Sequence, residues 1–373
     1  MLTALLVAAA LAVAASWIVA RLALRGADLS AFDGPTGERF PADDAAPGEL
    51  QAVLAQLAGI SVQVHSTPLR GRTALLRRLM DEAFADRPLG ATFTAVDCAG
   101  VPGQWVQAPG ADGARRTLYI HGGAFAMGSP RSHRTLTSRL AELTGGAVLA
   151  IDYRLMPEHR RMAGIEDCRR AYGWMLAHGP DGAQAAHAVF VAGDSAGGNL
   201  ALSLVAWVRD QRLRLPDAVV ALSPVTDCTL ASPSLRANAG TDVMLGPLFG
   251  PLGRLPQWVL LWLGLLQTRI NPRDPVVSPL RGDLSGLPPI LLQACEGEML
   301  VDDSRRYANR ARAAGSPVRL QTWPHGIHAW QVFNPELTAA RDALAEIGRF
   351  LDEAAPPMRK PADDGRAATE TTT

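Results

Sequence analysis

Residues Leu2 to Ala20 form an uninterrupted uncharged run at the start of the chain. At about 1.5 Å per helical residue the run extends roughly 28 Å, close to the ~30 Å hydrocarbon core of a bilayer, so one apolar helix is expected over residues 1–25. Beyond it the pattern changes. Short β-rich runs occur at Thr117 to Ile120, Ala147 to Ile151, Ala188 to Ala192, Ala218 to Leu222, Pro289 to Ala294 and Val318 to Trp323. Each is too short for a buried helix, and most are bounded by Gly, Pro or Asp. Amphipathic stretches separate them at Thr135 to Leu143, Asp167 to Ala177, Asn199 to Arg209 and Asp303 to Ala314. The alternation predicts an α/β domain over residues 30–355, a mostly parallel sheet with helices on both faces. Residues 49–86 read as helical, and 229–272 interrupt the alternation with a long apolar insertion. Both are candidate lid elements. Residues 356–373 hold almost nothing apolar and are expected to form a disordered, solvated tail.

Composition narrows the possibilities. With 48% apolar and 19% charged residues in 373, the chain can bury a substantial core, which excludes a wholly disordered or disulfide-stapled protein. The 36 basic and 36 acidic residues cancel, so no global field recruits nucleic acid, and no nucleic-acid partner is expected. Cys98, Cys168, Cys228 and Cys295 are far apart in the chain, without the close pairs of a metal knuckle, and read as free thiols. Neither a metal nor an organic cofactor is expected.

The sharpest local signal is Gly193-Asp194-Ser195-Ala196-Gly197, between the run ending at Ala192 and the helical stretch from Asn199. A serine on such a strand-to-helix turn is exposed at a strained elbow, with glycines supplying the room, and the helix N-terminus behind it favours developing negative charge. Some 70 residues earlier, His121-Gly122-Gly123-Ala124-Phe125 follows the run Thr117 to Ile120. There the amides of Gly122 and Gly123 can turn inward and, with that of Ala196, supply three oxyanion donors. His121 is expected to order this loop and not to transfer protons. The triad of this fold class runs serine, acid, histidine along the chain. After Ser195 the only histidines are His325 and His328, with His328 preferred as base. The acid is sought after the strand ending at Ala294, among Glu296, Glu298, Asp302 and Asp303. Glu298 follows the glycine at the strand's end, whereas the two aspartates suit the start of the next helix.

These segments together resemble the hormone-sensitive lipase family of α/β-hydrolases, the bacterial family IV esterases and lipases. The resemblance spans Val106 to Leu351 and also rests on Asp152-Tyr153-Arg154-Leu155, Pro157-Glu158-His159, Asn271-Pro272-Arg273-Asp274-Pro275, Ser278-Pro279 and Trp323 to Trp330. It implies an α/β-hydrolase fold and a serine carboxylesterase or lipase. It also implies Ser195 as nucleophile, His328 as general base, and the amides of Gly122, Gly123 and Ala196 as the oxyanion hole. Where many relatives have Asp-Pro-Leu, this chain has Glu298-Met299-Leu300. Residues His159-Arg160-Arg161-Met162 and the longer, more apolar 245–268 depart from the family pattern.

The expected substrate is a small acyl ester or a lipid. A lactonase or amidase would use the same triad, and a ligand-binding member of the fold is the non-catalytic alternative. Arg21 and Arg25 follow the apolar run, and basic flanks stay cytoplasmic, so a membrane-anchored, cytoplasmic catalytic body is expected. A signal peptide cleaved near Ala12-Val13-Ala14 is the alternative, although a basic stretch before the run is missing. The run around Trp258 to Leu266 is expected either to bury itself against residues 49–86 or to bring Trp258 and Trp262 to a membrane interface.

Overall fold

The computed structural model describes residues 1–41, 47–324 and 326–357; His325 and the tail from residue 358 lie outside them. The strands are β1 (Glu38–Arg39), β2 (Thr92–Asp97), β3 (Pro102–Gln107), β4 (Asp112–Ile120), β5 (Gly146–Ile151), β6 (His178–Gly179), β7 (Gly182–Ala183), β8 (Ala188–Asp194), β9 (Ala218–Leu222), β10 (Ile290–Cys295) and β11 (Val318–Trp323). Nine of them form one sheet in the order β1-β11-β10-β9-β8-β4-β5-β3-β2, and β6 pairs only with β7. Every pairing in the large sheet is parallel except β2 with β3 and β3 with β5.

The helices are α1 (Leu2–Val19), α2 (Pro47–Ser66), α3 (Leu69–Glu82), α4 (Arg134–Thr144), α5 (Arg161–Ala177), α6 (Ala196–Asp210), α7 (Ser234–Ala237), α8 (Leu245–Phe249), α9 (Gln257–Thr268), α10 (Val301–Ala313) and α11 (Thr338–Ala354). Alternation along β8 sends Val189 and Val191 to one face, with Tyr172 of α5, Leu200 of α6 and Tyr307 of α10. Phe190 and Ala192 go to the other, with Leu136 of α4 and Ile347 of α11. Each such aromatic or aliphatic side chain contributes about 1.5–3 kcal/mol on burial, which fixes the register of the strand between its two helical layers. All six β-rich runs of the sequence are strands of this sheet. Strands β2, at the sheet's edge, and β3 beside it were not among them, because β2 is mostly solvent-facing and β3 offers only Trp105 and Val106 between glutamines. The four cysteines are free thiols.

Residues 49–86 are helical as expected and divide into α2 and α3. Val53 and Leu57 of α2 pack with Ile327, Trp330 and Phe333, so this helix covers the loop that carries His328. Within 229–272, only Val243 and Met244 join that cluster. The expectation that α9 buries itself against 49–86 is therefore corrected: Trp258, Leu261, Trp262 and Leu265 pack instead on Ala20, Ala23 and Leu24, just beyond α1. The apolar side chains of Ala20, Ala23 and Leu24 outweigh the partly polar faces of α2 and α3 as a partner for so apolar a helix.

Candidate active site

Four loops converge at the carboxyl ends of neighbouring parallel strands, where open α/β sheets place their ligands. Ser195 leaves β8 with φ 53° and ψ −115° and opens α6. Such a conformation costs a non-glycine residue about 1–3 kcal/mol and persists only when the surroundings impose it. Here they do. A β-carbon at Gly193 would come within 2.6 Å of the Gly197 backbone, and one at Gly197 within 1.9 Å of the Ile120 carbonyl oxygen. The Ser195 N–H donates to Leu222 O at 2.7 Å, and its carbonyl accepts Asn199 N–H at 3.1 Å. Asp194 and Ala196 are buried, whereas Ser195 is half-exposed.

The loop after β4 carries three consecutive positive φ angles, at Gly123 (114°), Ala124 (52°) and Phe125 (61°). Its base is rigid. The Tyr153 hydroxyl donates to His121 O at 2.9 Å, and the two rings stack with centroids 4.4 Å apart. His121 is fully buried, and burial together with the nearby His133 pushes its imidazole down to about 3. It is thus neutral at physiological pH, in keeping with a loop-ordering role. The Gly122 N–H donates to the Asp194 carboxylate at 3.0 Å. Gly122 as a free oxyanion donor is therefore corrected: its amide is already spent on the residue preceding the serine. Among the described residues, the amides of Gly123, Ala124 and Ala196 have no acceptor. Sequence reasoning missed Ala124, since a β-carbon seems to argue against an inward-turned amide; its positive φ turns the N–H regardless.

His328 follows β11 and is buried beside Glu298, which follows β10, with Nδ1 3.5 Å from Oε2. The Ser223 hydroxyl donates to the same Oε2 at 2.7 Å and accepts the Ala329 N–H at 3.1 Å, so it braces both the carboxylate and the backbone after His328. Burial alone would lower the His328 imidazole, but the carboxylates of Glu298 and Asp242 raise it. Burial raises the Glu298 carboxyl, and His328 and Ser223 only partly offset this. The other acids are engaged elsewhere. Glu296 pairs with Arg39 at 3.0 Å and with Arg305. Asp302 accepts the Ser234 N–H at 2.9 Å and pairs with Arg305 at 3.0 Å. Asp303 accepts the amides of Thr226 and Asp227 at 2.6 and 3.0 Å. Asp302 and Asp303 lie in the first turn of α10, as expected. No motif singled out Ser223, which is a lone serine after β9.

A further clasp ties α3 to the oxyanion-loop segment. Arg77 donates to Ala126 O at 2.7 Å and to Met156 O at 3.1 Å while holding the Glu158 carboxylate bidentately. Four residues on, Asp81 accepts the Ser129 hydroxyl at 2.5 Å.

Residues 117–332 match the family described as alpha/beta hydrolase fold. An acetyl-hydrolase of Streptomyces hygroscopicus is 38% identical over 273 residues, covering 72% of this chain and 85% of the relative. The carboxylesterase/phospholipase LipF of Mycobacterium tuberculosis is 35% identical, covering 71% and 70%. Among solved structures, an esterase from the bacterial hormone-sensitive lipase family superposes with a TM-score of 0.70 at 35% identity, over 81% of this chain and 97% of the other. With an elbow serine, a glycine-rich loop and a buried histidine-carboxylate pair brought to one sheet edge, and with relatives of this identity and coverage, the chain belongs to the hormone-sensitive lipase family of α/β-hydrolases and is a serine ester hydrolase.

Proposed function

We propose that the chain hydrolyses carboxylic esters with apolar acyl groups at a membrane surface, through Ser195, His328 and Glu298. The buried pairing of His328 with Glu298, 3.5 Å apart on the loops after β11 and β10, carries this reading. His328 takes the proton of the Ser195 hydroxyl as its oxygen attacks the ester carbonyl carbon. The resulting oxyanion accepts the amides of Gly123, Ala124 and Ala196. The intermediate collapses to an acyl-serine, and the alcohol leaves with the proton held by His328. Water then attacks the acyl carbon, His328 again taking the proton, and the acid departs as Ser195 regains its hydrogen. Each oxyanion donor in such a site is worth on the order of 100- to 1000-fold in rate.

The separation of 3.5 Å is loose for a hydrogen bond, which suits a resting site that tightens when substrate charges the imidazole. Residues 1–25 are read as a membrane anchor with the catalytic body, residues 30–355, on the cytoplasmic side. The helix Leu2–Leu24 is long and apolar enough to cross a bilayer, and its charged flank begins at Arg21 and Arg25. Residues 49–86 and 229–272 are read as the lid. A fluorophosphonate probe should label the wild type and fail on Ser195→Ala. Equal labelling of both would sink the assignment, and a panel of acyl esters, lactones and amides would rank the bond cleaved.

A further inference from the structure

The helix Leu2–Leu24 does not project freely from the body. Its second half is docked along α9. The Trp262 indole N–H donates to Ser16 O at 3.1 Å, the Asn271 amide to Ala23 O at 2.9 Å and the Arg281 guanidinium to Ala27 O at 3.0 Å. Trp258 lies higher, in an apolar groove that it shares with Ala9, Ala10, Val13, Ala14 and Trp17. The backbone of α9 packs against residues 20–24, and the Trp262 side chain reaches back along the helix to Ser16. From Ser16 to Leu24 is 8 residues, or about 12 Å, within one leaflet of a ~30 Å core. The contacts place the two tryptophans against the N-terminal helix, which leaves other side chains of α9 to face outward. Two other side chains of α9 are left about half open: Leu263 is 48% and Leu266 55% exposed, three residues apart on one face.

We infer that α9 is itself a membrane element, lying within one leaflet beside the anchor, with Leu263 and Leu266 in contact with lipid chains. The inference rests on the reading of residues 2–24 as a spanning helix. If that helix crosses the bilayer, whatever is fastened to its lower half lies at bilayer depth, and α9 carries no charge between Gln257 and Thr268. Near the level of Leu24 the chemistry turns basic. Arg21, Arg25, Arg269 and Arg273 are exposed there against Asp28 and Asp274, an arrangement that suits anionic headgroups. The anchor and the insertion over the active site therefore move as one body, and the bilayer sets the lid's orientation.

The test uses the full chain in vesicles of phosphatidylcholine and phosphatidylglycerol. An environment-sensitive fluorophore is placed at Leu263→Cys or Leu266→Cys, and at Leu213→Cys as an exposed apolar control before β9. At 263 and 266 the emission should shift to the blue, lose quenching by aqueous iodide and gain quenching by spin-labelled lipid chains, while the probe at 213 does the reverse. If all three positions are quenched by iodide in chains that co-float with vesicles, the lid placement is wrong although the anchor holds. If the chain does not co-float after alkaline washing, the anchor falls and the lid placement with it. Hydrolysis of a soluble short ester by the same preparations reports the ester-hydrolase reading separately.

Discussion

The carboxylate of Asp194, one residue before Ser195, accepts the N–H of Gly122 at 3.0 Å across the site. The same carboxylate takes the Tyr119 hydroxyl at 2.5 Å and faces His133 Nε2 at 3.4 Å. Burial would raise its pKa, yet His133 and Tyr119 hold it down to about 2. Asp194 thus fastens the elbow and the oxyanion loop to each other, and it consumes the amide that the glycine pattern offers to substrate.

Replacing Asp194 by Asn leaves the shape but removes the charge that His133 and the two donors share. Breaking a buried pair of this kind costs about 3–5 kcal/mol, and a displaced oxyanion loop loses on the order of 100-fold in rate. Asp194→Asn should lower both Tm and kcat, with KM changed little. An unchanged kcat in a folded variant would show that the loop holds its shape without this tie.

The proposed triad acid, Glu298, can be separated from its neighbours by substitution. Glu298→Gln should lose up to about 10⁴ in kcat while remaining folded, because the histidine loses the partner that orients it and stabilises its charge. Asp302→Asn removes a contact to Ser234 and one to Arg305, so it should cost on the order of 1 kcal/mol of stability with hydrolysis retained. Activity lost in folded Asp302→Asn and kept in Glu298→Gln would reverse the assignment.

What could be read from residues alone divides along physical lines. Ser195, Glu298 and His328 stand at strand ends, and strand ends are legible because apolar runs of strand length stop at Gly, Pro or Asp. The edge strand β2 is mostly exposed and β3 offers only Trp105 and Val106 between glutamines, so the same reading passed over them. Ala124 was missed for a different reason. Donor capacity there depends on a positive φ imposed by the loop, and residue type hides it. Ser223 and Arg77 act through contacts 75 and 49 residues away in the chain, a separation at which no local pattern exists.

The pH profile has a definite sign. In the proposed mechanism His328 accepts a proton in both halves of the reaction and so works only when neutral. Glu298 and Asp242 raise its pKa against the opposing effect of burial. Activity should therefore fall with decreasing pH through a midpoint above ~6.5, the value of an ordinary histidine. In Glu298→Gln the residual activity should show its midpoint shifted to lower pH. A wild-type acid limb below 6 in kcat/KM for a non-ionising ester would contradict the pairing.

Arg77 provides the last prediction. Its planar guanidinium reaches Ala126 O, Met156 O and both oxygens of Glu158 at once, a geometry that a lysine ammonium cannot reproduce. The side chain is 32% exposed, so its ion pair with Glu158 adds little to global stability. Its effect is local. Backbone hydrogen bonds from Ala126 and Met127 to Gly123 O and from Met156 to Phe125 O hold the turn that carries Ala124 and Phe125, and Arg77 adds a direct grip on Ala126. Both Arg77→Met and Arg77→Lys should therefore lower kcat by roughly tenfold, a fraction of the loss of one oxyanion donor. Tm should move by no more than a few degrees, and KM for a soluble short ester should stay close to wild type. The pH midpoint assigned to His328 should not move, which separates a displaced oxyanion loop from a disturbed base. If Arg77→Lys recovers full kcat, point charge on Glu158 suffices and the carbonyl contacts do not position the loop.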